Sequence, residues 1–158
     1  MRSLALVVLS GALLAHLSLV ETGAAQTDDQ TILGPGLYVF QTRTRGATCN
    51  DDERNGYVSS FVAPIHGVPG SRRMSMQLIN TDYWSRWTIR VEGDDRVIGD
   101  STMNRMRGPS APRNHFEVTR QGDRFVGTGT RTYTRTVDGR AQECAVTYDA
   151  LLRRIDAL

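Results

Sequence analysis

Arg131, Tyr133 and Tyr148 are the residues whose types and spacing could create a binding site in this sequence. They flank Asp138-Gly139, a dipeptide that tolerates the positive φ angles of a tight β-hairpin turn. Side chains alternate across a strand, so this turn predicts that all three share one face of the hairpin with the apolar residues. An inward arginine needs an anionic or acceptor partner. The pattern therefore predicts a site for a carboxylate or phosphate, with Trp87 as a further wall. The alternative is an arginine at a barrel mouth with its head in water, or in an internal ion pair.

The turn also fixes the register of this hairpin. Counting outward from Asp138-Gly139, the predicted pairs are Val137 with Arg140, Tyr133 with Cys144, Arg131 with Val146, and Gly129 with Tyr148. The inward glycines suit a barrel bend or a space filled by a large neighbour.

Other reactive residue types are sparse. All 19 basic residues are arginine, which excludes lysine-based catalysis. His66 and His115 have no accompanying nucleophile motif, and both are interpreted as solvated histidines. The acidic run at 51–53 does not have the spacing of a calcium loop. We therefore expect no catalytic residue, no metal site and no cofactor.

Cys49 and Cys144 are the two cysteines, and they lie 95 positions apart. An even count in an exported chain indicates a disulfide. Neither cysteine has a histidine at metal-ligand spacing. The alternative is a pair of free thiols or a metal pair.

The N-terminus resembles a targeting segment. Arg2 precedes an apolar run, and small residues at 23–25 suit a cleavage site. We interpret 1–25 as a signal peptide, 26–35 as a disordered segment and 36–158 as one domain. The protein is then exported, periplasmic or extracellular, with no stable membrane span after cleavage. The alternative is an uncleaved membrane anchor.

The net charge is +2, and the basic residues do not cluster as a stripe. This argues against nucleic acid as a partner.

About eight β-strands follow from the alternation of apolar and polar residues and from the spacing of turns. The clearest alternation lies at 86–92, where Trp87, Ile89 and Val91 share a face. The Pro- and Gly-containing segments 64–73 and 102–114 are predicted loops, and the tail after Asp149 could form a short helix.

The predicted fold is all-β, a single antiparallel barrel with an up-and-down meander, and the alternative is a β-sandwich. A bridge from the end of the first strand to the last would cross the seam at which such a barrel closes. This plan is similar to that of lipocalins in architecture, although Gly36-Leu37-Tyr38 stands where lipocalins carry Gly-x-Trp.

Three classes of function are open. The first is a non-enzymatic binding protein that holds a small apolar or anionic ligand in the barrel interior. The second is an envelope protein-interaction or enzyme-inhibitor module that acts through loops 64–73 and 102–114. The third is an enzyme, which ranks last. The large inward side chains favour a filled core, whereas Gly127 and Gly129 favour a cavity.

Overall fold

The computed structural model describes residues 33–49, 55–106, 108 and 111–155. Eight β-strands account for most of them. The strands are β1 (Gly36–Ala47), β2 (Val58–His66), β3 (Arg73–Gln77), β4 (Arg86–Glu92), β5 (Arg96–Thr102), β6 (Arg113–Gln121), β7 (Arg124–Val137) and β8 (Arg140–Arg154). The predicted signal peptide and residues 26–32 lie outside the described part, whereas Leu33 is buried against the core.

The strands form a closed barrel in which each strand pairs with the next along the chain. All pairs are antiparallel, and β8 returns to pair with β1. Short connections between antiparallel strands favour this meander, and closure removes the open edges of a flat sheet. The predicted single antiparallel barrel is therefore confirmed over the sandwich.

The final hairpin has the predicted register. Asp138 and Gly139 have φ angles of 49° and 74°, as a type I′ turn requires. The four predicted pairs, from Val137↔Arg140 to Gly129↔Tyr148, are all present. The face that carries Tyr148 points into the barrel.

Two local expectations were wrong. The tail does not form a helix, because β8 continues to Arg154 between its neighbours β1 and β7. Strand β2 does not end before Pro64 but runs through it to His66. The C=O of Val62 accepts a hydrogen bond from the N–H of Ile79, so it points away from β1. Residues two apart in a strand direct their backbone groups to the same side, so the ring nitrogen of Pro64 also points away from β1. Pairing between β1 and β2 therefore needs no N–H donor from Pro64.

The disulfide joins Cys49 to Cys144, as predicted, with 5.6 Å between the Cα atoms. Thr48 and Cys49 follow β1. The N–H of Thr48 donates to the carbonyl of Ala145 on β8, and the side-chain hydroxyl of Thr48 accepts from the N–H of Ala145. The bridge therefore extends the β1–β8 seam by one covalent link. A disulfide is compatible with an exported protein.

The barrel interior is packed with aromatic and aliphatic side chains. Phe40, Trp87 and Phe116 meet at its centre, with ring centroids 4.9–5.6 Å apart. These three rings belong to one continuous buried cluster that includes residues from all eight strands. The apolar face of β4, with Trp87, lies inside, as the sequence predicted.

The two ends of the barrel differ. The loop end carries the connections 48–57, 78–85, 103–112 and 138–139, and the turn end carries 67–72, 93–95 and 122–123. The two segments predicted as interaction loops lie at opposite ends, because three strands, an odd number, separate them along the chain. The longer connections at the loop end leave more room for a recess.

Candidate functional site

Tyr148 lies inside the barrel, and its hydroxyl group is part of a buried hydrogen-bond pair. It donates to Oδ1 of Asn114 at 2.5 Å, and the backbone oxygen of His115 lies 3.1 Å away. Burial raises the pKa of the Tyr148 hydroxyl, and the charge of Arg131 offsets part of that rise. Tyr148 therefore stays protonated and acts as a structural donor.

Arg131 lies on the same inward face, paired across the strands with Asn114 and Val146. It is half-buried. Burial lowers the pKa of its guanidinium, and the Tyr148 and Tyr133 hydroxyls oppose that effect. The structure thus places Arg131, Tyr133 and Tyr148 on one wall, as the sequence predicted. Whether a ligand binds there stays a prediction.

Trp87 lies on β4, in the central aromatic cluster. Its ring packs against Phe40 and Phe116, and its Nε1 donates to the backbone oxygen of Trp84 at 2.7 Å. Its polar atom is therefore satisfied by the chain itself, and its apolar surface is covered.

Aromatic rings or backbone atoms fill the space beside the inward glycines, so these glycines do not create a cavity. A Cβ atom on Gly129 would overlap the ring of Tyr148, and one on Gly99 would overlap Phe116. A Cβ on Gly127 would meet the backbone of β6. These absent side chains explain how two large rings fit in a small barrel, and they remove the main argument for an interior cavity.

A groove of about 770 Å³ opens at the loop end, between strands β4 to β6 and the segment 103–106. Its wall contains arginine, methionine, hydroxyl and amide side chains. The lining residues are Arg86, Trp87, Thr88, Asp100, Ser101, Thr102, Met103, Asn104, Arg105, Met106, Arg113, Asn114 and His115. We call this recess the loop-end groove.

The floor of the loop-end groove consists of two rows on the outer face of the sheet. Thr88, Asp100 and His115 are direct cross-strand neighbours in one row. Thr102 pairs with Arg113 in the next, and Ser101 Oγ donates to the backbone oxygen of Arg86 at 2.6 Å. Period-two alternation brings Thr88, Asp100, His115, Thr102 and Arg113 to the outer surface, whereas Ser101 is buried on the inward face.

Asn104 anchors the loop that covers the groove. Its Nδ2 donates to the backbone oxygen of Asp82 at 2.9 Å and contacts Ser85 Oγ at 2.8 Å. Its backbone N–H donates to the carbonyl of Tyr83 at 2.7 Å. Residues 82–85 and 103–106 are thereby joined into one rim.

Asp100 is the acidic residue of the groove lining, and it is already engaged. Its Oδ1 lies 2.7 Å from His115 Nδ1, and its Oδ2 lies 3.7 Å from Arg90. The other nitrogen of His115 faces Glu117 at 3.4 Å. A hydrogen bond from Arg96 holds the pKa of Glu117 below its usual value, and His115 contributes less. Both ring nitrogens of His115 therefore face carboxylates.

Three arginines line the groove, and unlike Asp100 they have no oppositely charged partner among the described residues. In the part of the chain that the structure describes, Arg86, Arg105 and Arg113 make no ion pair with a carboxylate. All three are exposed. The groove is therefore cationic.

The sequence predicted 102–114, which contains Arg113, as an interaction loop, but it did not identify Arg86 as a member of a site. The alternation of polar and apolar residues places Arg86 and Arg113 at outward positions of their strands. The register between β4, β5 and β6 was needed to show that these positions lie at one level. The acidic run at 51–53 lies outside the described residues, and His66 ends β2 in an exposed position.

Two further features are absent from the residues that the structure describes. These residues include no group of three or more His, Cys, Asp or Glu side chains arranged to hold a metal ion. No helix among them is long and apolar enough to cross a bilayer.

Comparison with known proteins gives no identification. No family model matches this chain, and no curated protein matches it either.

Proposed function

We propose that this protein is an exported, non-enzymatic binding protein whose ligand occupies the loop-end groove and not the barrel interior. The observation that carries the proposal is the contrast between the two spaces. The interior is occupied by the aromatic cluster and by rings seated on glycines. The groove is open, and its volume of about 770 Å³ lies in the usual range for ligand sites.

The chemistry of the groove supports binding over catalysis. Hydrolytic dyads and triads need a histidine nitrogen that accepts the proton of a nucleophile. Both nitrogens of His115 face carboxylates, which leaves neither for this task. The rim anchored by Asn104 provides the preorganised wall that a binding site requires.

A ligand in the interior is the second candidate, and the wall formed by Arg131, Tyr133 and Tyr148 supports it. Entry would displace Phe40, Phe116 or the hydrogen-bonded Tyr148. Each displacement costs packing or a buried hydrogen bond, so this candidate ranks below the groove.

The test is amide-resolved NMR of the oxidised, full chain with a mixture of small organic acids, alcohols and amides. We expect shifts at 101–106 and 113–115. Thr102→Tyr, which fills the groove from an exposed position, should abolish them. Ser60→Tyr, at an exposed position on the outer face of β2, is the matched control and should leave them unchanged.

Shifts that concentrate on interior residues such as Phe40 and Phe116, and that survive Thr102→Tyr, would favour the interior site. An absence of any shift in the groove would contradict the proposal.

A further inference from the structure

The row that contains Thr102 has the geometry of a cationic clamp. Thr102 and Arg113 are direct partners on β5 and β6. Arg86 lies on the other side of Thr102, because the hydroxyl of Ser101 fixes β4 beside β5 at this level. Neighbouring strands lie about 4.8 Å apart. The two arginines therefore flank Thr102, one strand away on each side.

All three side chains project outward, because they alternate with buried neighbours. Trp87, Ser101 and Asn114 follow or precede them in sequence and face inward. A group lying over the hydroxyl of Thr102 would thus have a guanidinium on each side. Guanidinium groups bind carboxylate and phosphate oxygens through two parallel N–H donors.

Arg105 adds a third cation from the loop. Its φ angle is 65°, in the left-handed region that a residue with a Cβ atom adopts at a cost. The loop is held in this conformation by the contacts of Asn104 and by a hydrogen bond from Met103 N–H to the carbonyl of Pro112 at 3.0 Å. The strained residue is therefore kept beside the groove by its surroundings.

The balance of charge in the groove is positive. Arg86, Arg105 and Arg113 have no carboxylate partner among the described residues. Asp100 is bonded to His115 and lies 3.7 Å from Arg90, which also pairs with Glu92. An anion would therefore meet three free guanidinium groups and one carboxylate that is already bound.

We propose that the loop-end groove binds the oxyanion of its ligand, a carboxylate or phosphate group, over Thr102 between Arg86 and Arg113, with Arg105 above. This rests on the proposed function and deepens it by naming the chemical class of the ligand. Met103 and Met106 at the same rim provide apolar contact for the body of an organic anion.

The test is titration of the oxidised, full chain with inorganic phosphate and, separately, with acetate. The side-chain Nε–Hε signals of arginine are followed by NMR. We expect the signals of Arg86 and Arg113 to shift with a common dissociation constant. This constant should increase as NaCl is raised, because salt screens exposed charges. The anion that binds more tightly identifies phosphate or carboxylate as the preferred group.

Arg86→Gln and Arg113→Gln should each weaken binding about tenfold, since each removes a charge-assisted pair of hydrogen bonds. Arg153→Gln removes the same charge from an exposed position near the turn end of β8 and should change affinity less than twofold. Arg113→Lys keeps the charge but loses the paired donors, so its affinity should fall between those of the wild type and Arg113→Gln. Circular dichroism establishes that each variant is folded.

Equal weakening by Arg153→Gln, or shifts confined to other arginines, would overturn the inference. Groove shifts with neutral probes but none with either anion would overturn this inference and leave the proposed function standing. If no probe shifts the NMR signals of the groove residues, both this inference and the proposed function are overturned.

Discussion

Tyr148 shows how one residue links packing to polarity in this barrel. Its ring fills the space that Gly129 leaves, while its hydroxyl is bonded to Asn114. The ring is apolar volume that the small barrel needs, and the hydroxyl satisfies a buried amide oxygen. Loss of the ring would leave a cavity beside Gly129, whereas loss of the hydroxyl would leave Asn114 Oδ1 without this donor.

We predict that Tyr148→Phe lowers the free energy of unfolding by about 1–3 kcal/mol at neutral pH, because Asn114 Oδ1 loses its buried donor. The difference should shrink as pH rises above about 10, the usual tyrosine pKa. The pKa of Tyr148 is raised in the folded state, so the unfolded chain ionises first and the wild type loses stability there. Urea unfolding at pH 8 and pH 11 measures both effects.

Tyr83→Phe is the control for that prediction, since Tyr83 is exposed and should show neither effect. The pKa of Tyr38 is also raised by burial, so some alkaline loss of stability remains in the Tyr148→Phe variant. A stability gap that widens with pH would contradict the assignment of the Tyr148 hydroxyl as a buried donor.

The rim of the loop-end groove is the element on which the proposed function depends. Two connections of the loop end meet there through Asn104, whose amide contacts Asp82 and Ser85. These bonds cross between elements that are 19 and 22 residues apart in sequence. The loop has a turn of its own, in which the N–H of Met106 donates to the carbonyl of Met103 at 3.2 Å, and the tertiary contacts of Asn104 join this turn to the neighbouring connection.

We predict that Asn104→Ala speeds amide hydrogen exchange at 103–106 and lowers stability by about 1–2 kcal/mol, because it removes three side-chain hydrogen bonds. Anion affinity should fall as well, since Arg105 is no longer held beside the groove. Hydrogen exchange followed by mass spectrometry checks the first effect.

Gln142→Ala is the matched control for Asn104→Ala, because Gln142 is an exposed amide on β8 near the Asp138-Gly139 turn. It should leave exchange at 103–106 unchanged. Equal exchange rates in the two variants would show that Asn104 does not anchor the rim.

The whole barrel depends on the seam between its first and last strands. β1 and β8 pair along most of their lengths, with one irregularity between Thr44 and Gly46. The disulfide lies just beyond the last pair and encloses 95 positions of chain. Most of the barrel is therefore inside the covalent loop, which restricts the unfolded state strongly.

We predict that replacing Cys49 and Cys144 together by alanine lowers the free energy of unfolding by about 2–5 kcal/mol. Thermal and urea unfolding measure the loss. Dithiothreitol should destabilise the wild type to a similar extent and leave the double variant unaffected. A double variant as stable as the oxidised wild type would show that strand pairing alone closes the barrel.

Local sequence patterns determined much of this architecture. Asp138-Gly139 fixed the register of the last hairpin, because its turn type depends on two residues alone. Alternation predicted the inward faces, including that of Trp87, Ile89 and Val91. The number of cysteines predicted the disulfide. Each of these is a property of neighbouring residues or of composition, so one chain is enough to read it.

Only the tertiary structure decided the register between the strands outside the final hairpin and what fills the space between them. Arg86, Thr102 and Arg113 are distant in sequence, and they form a site because β4, β5 and β6 pair at one level. The ring of Tyr148 fills the space beside Gly129. The sequence alone could not distinguish this filled space from a cavity. Lateral contacts and packing arise from closure of the whole barrel, and closure depends on all eight strands together.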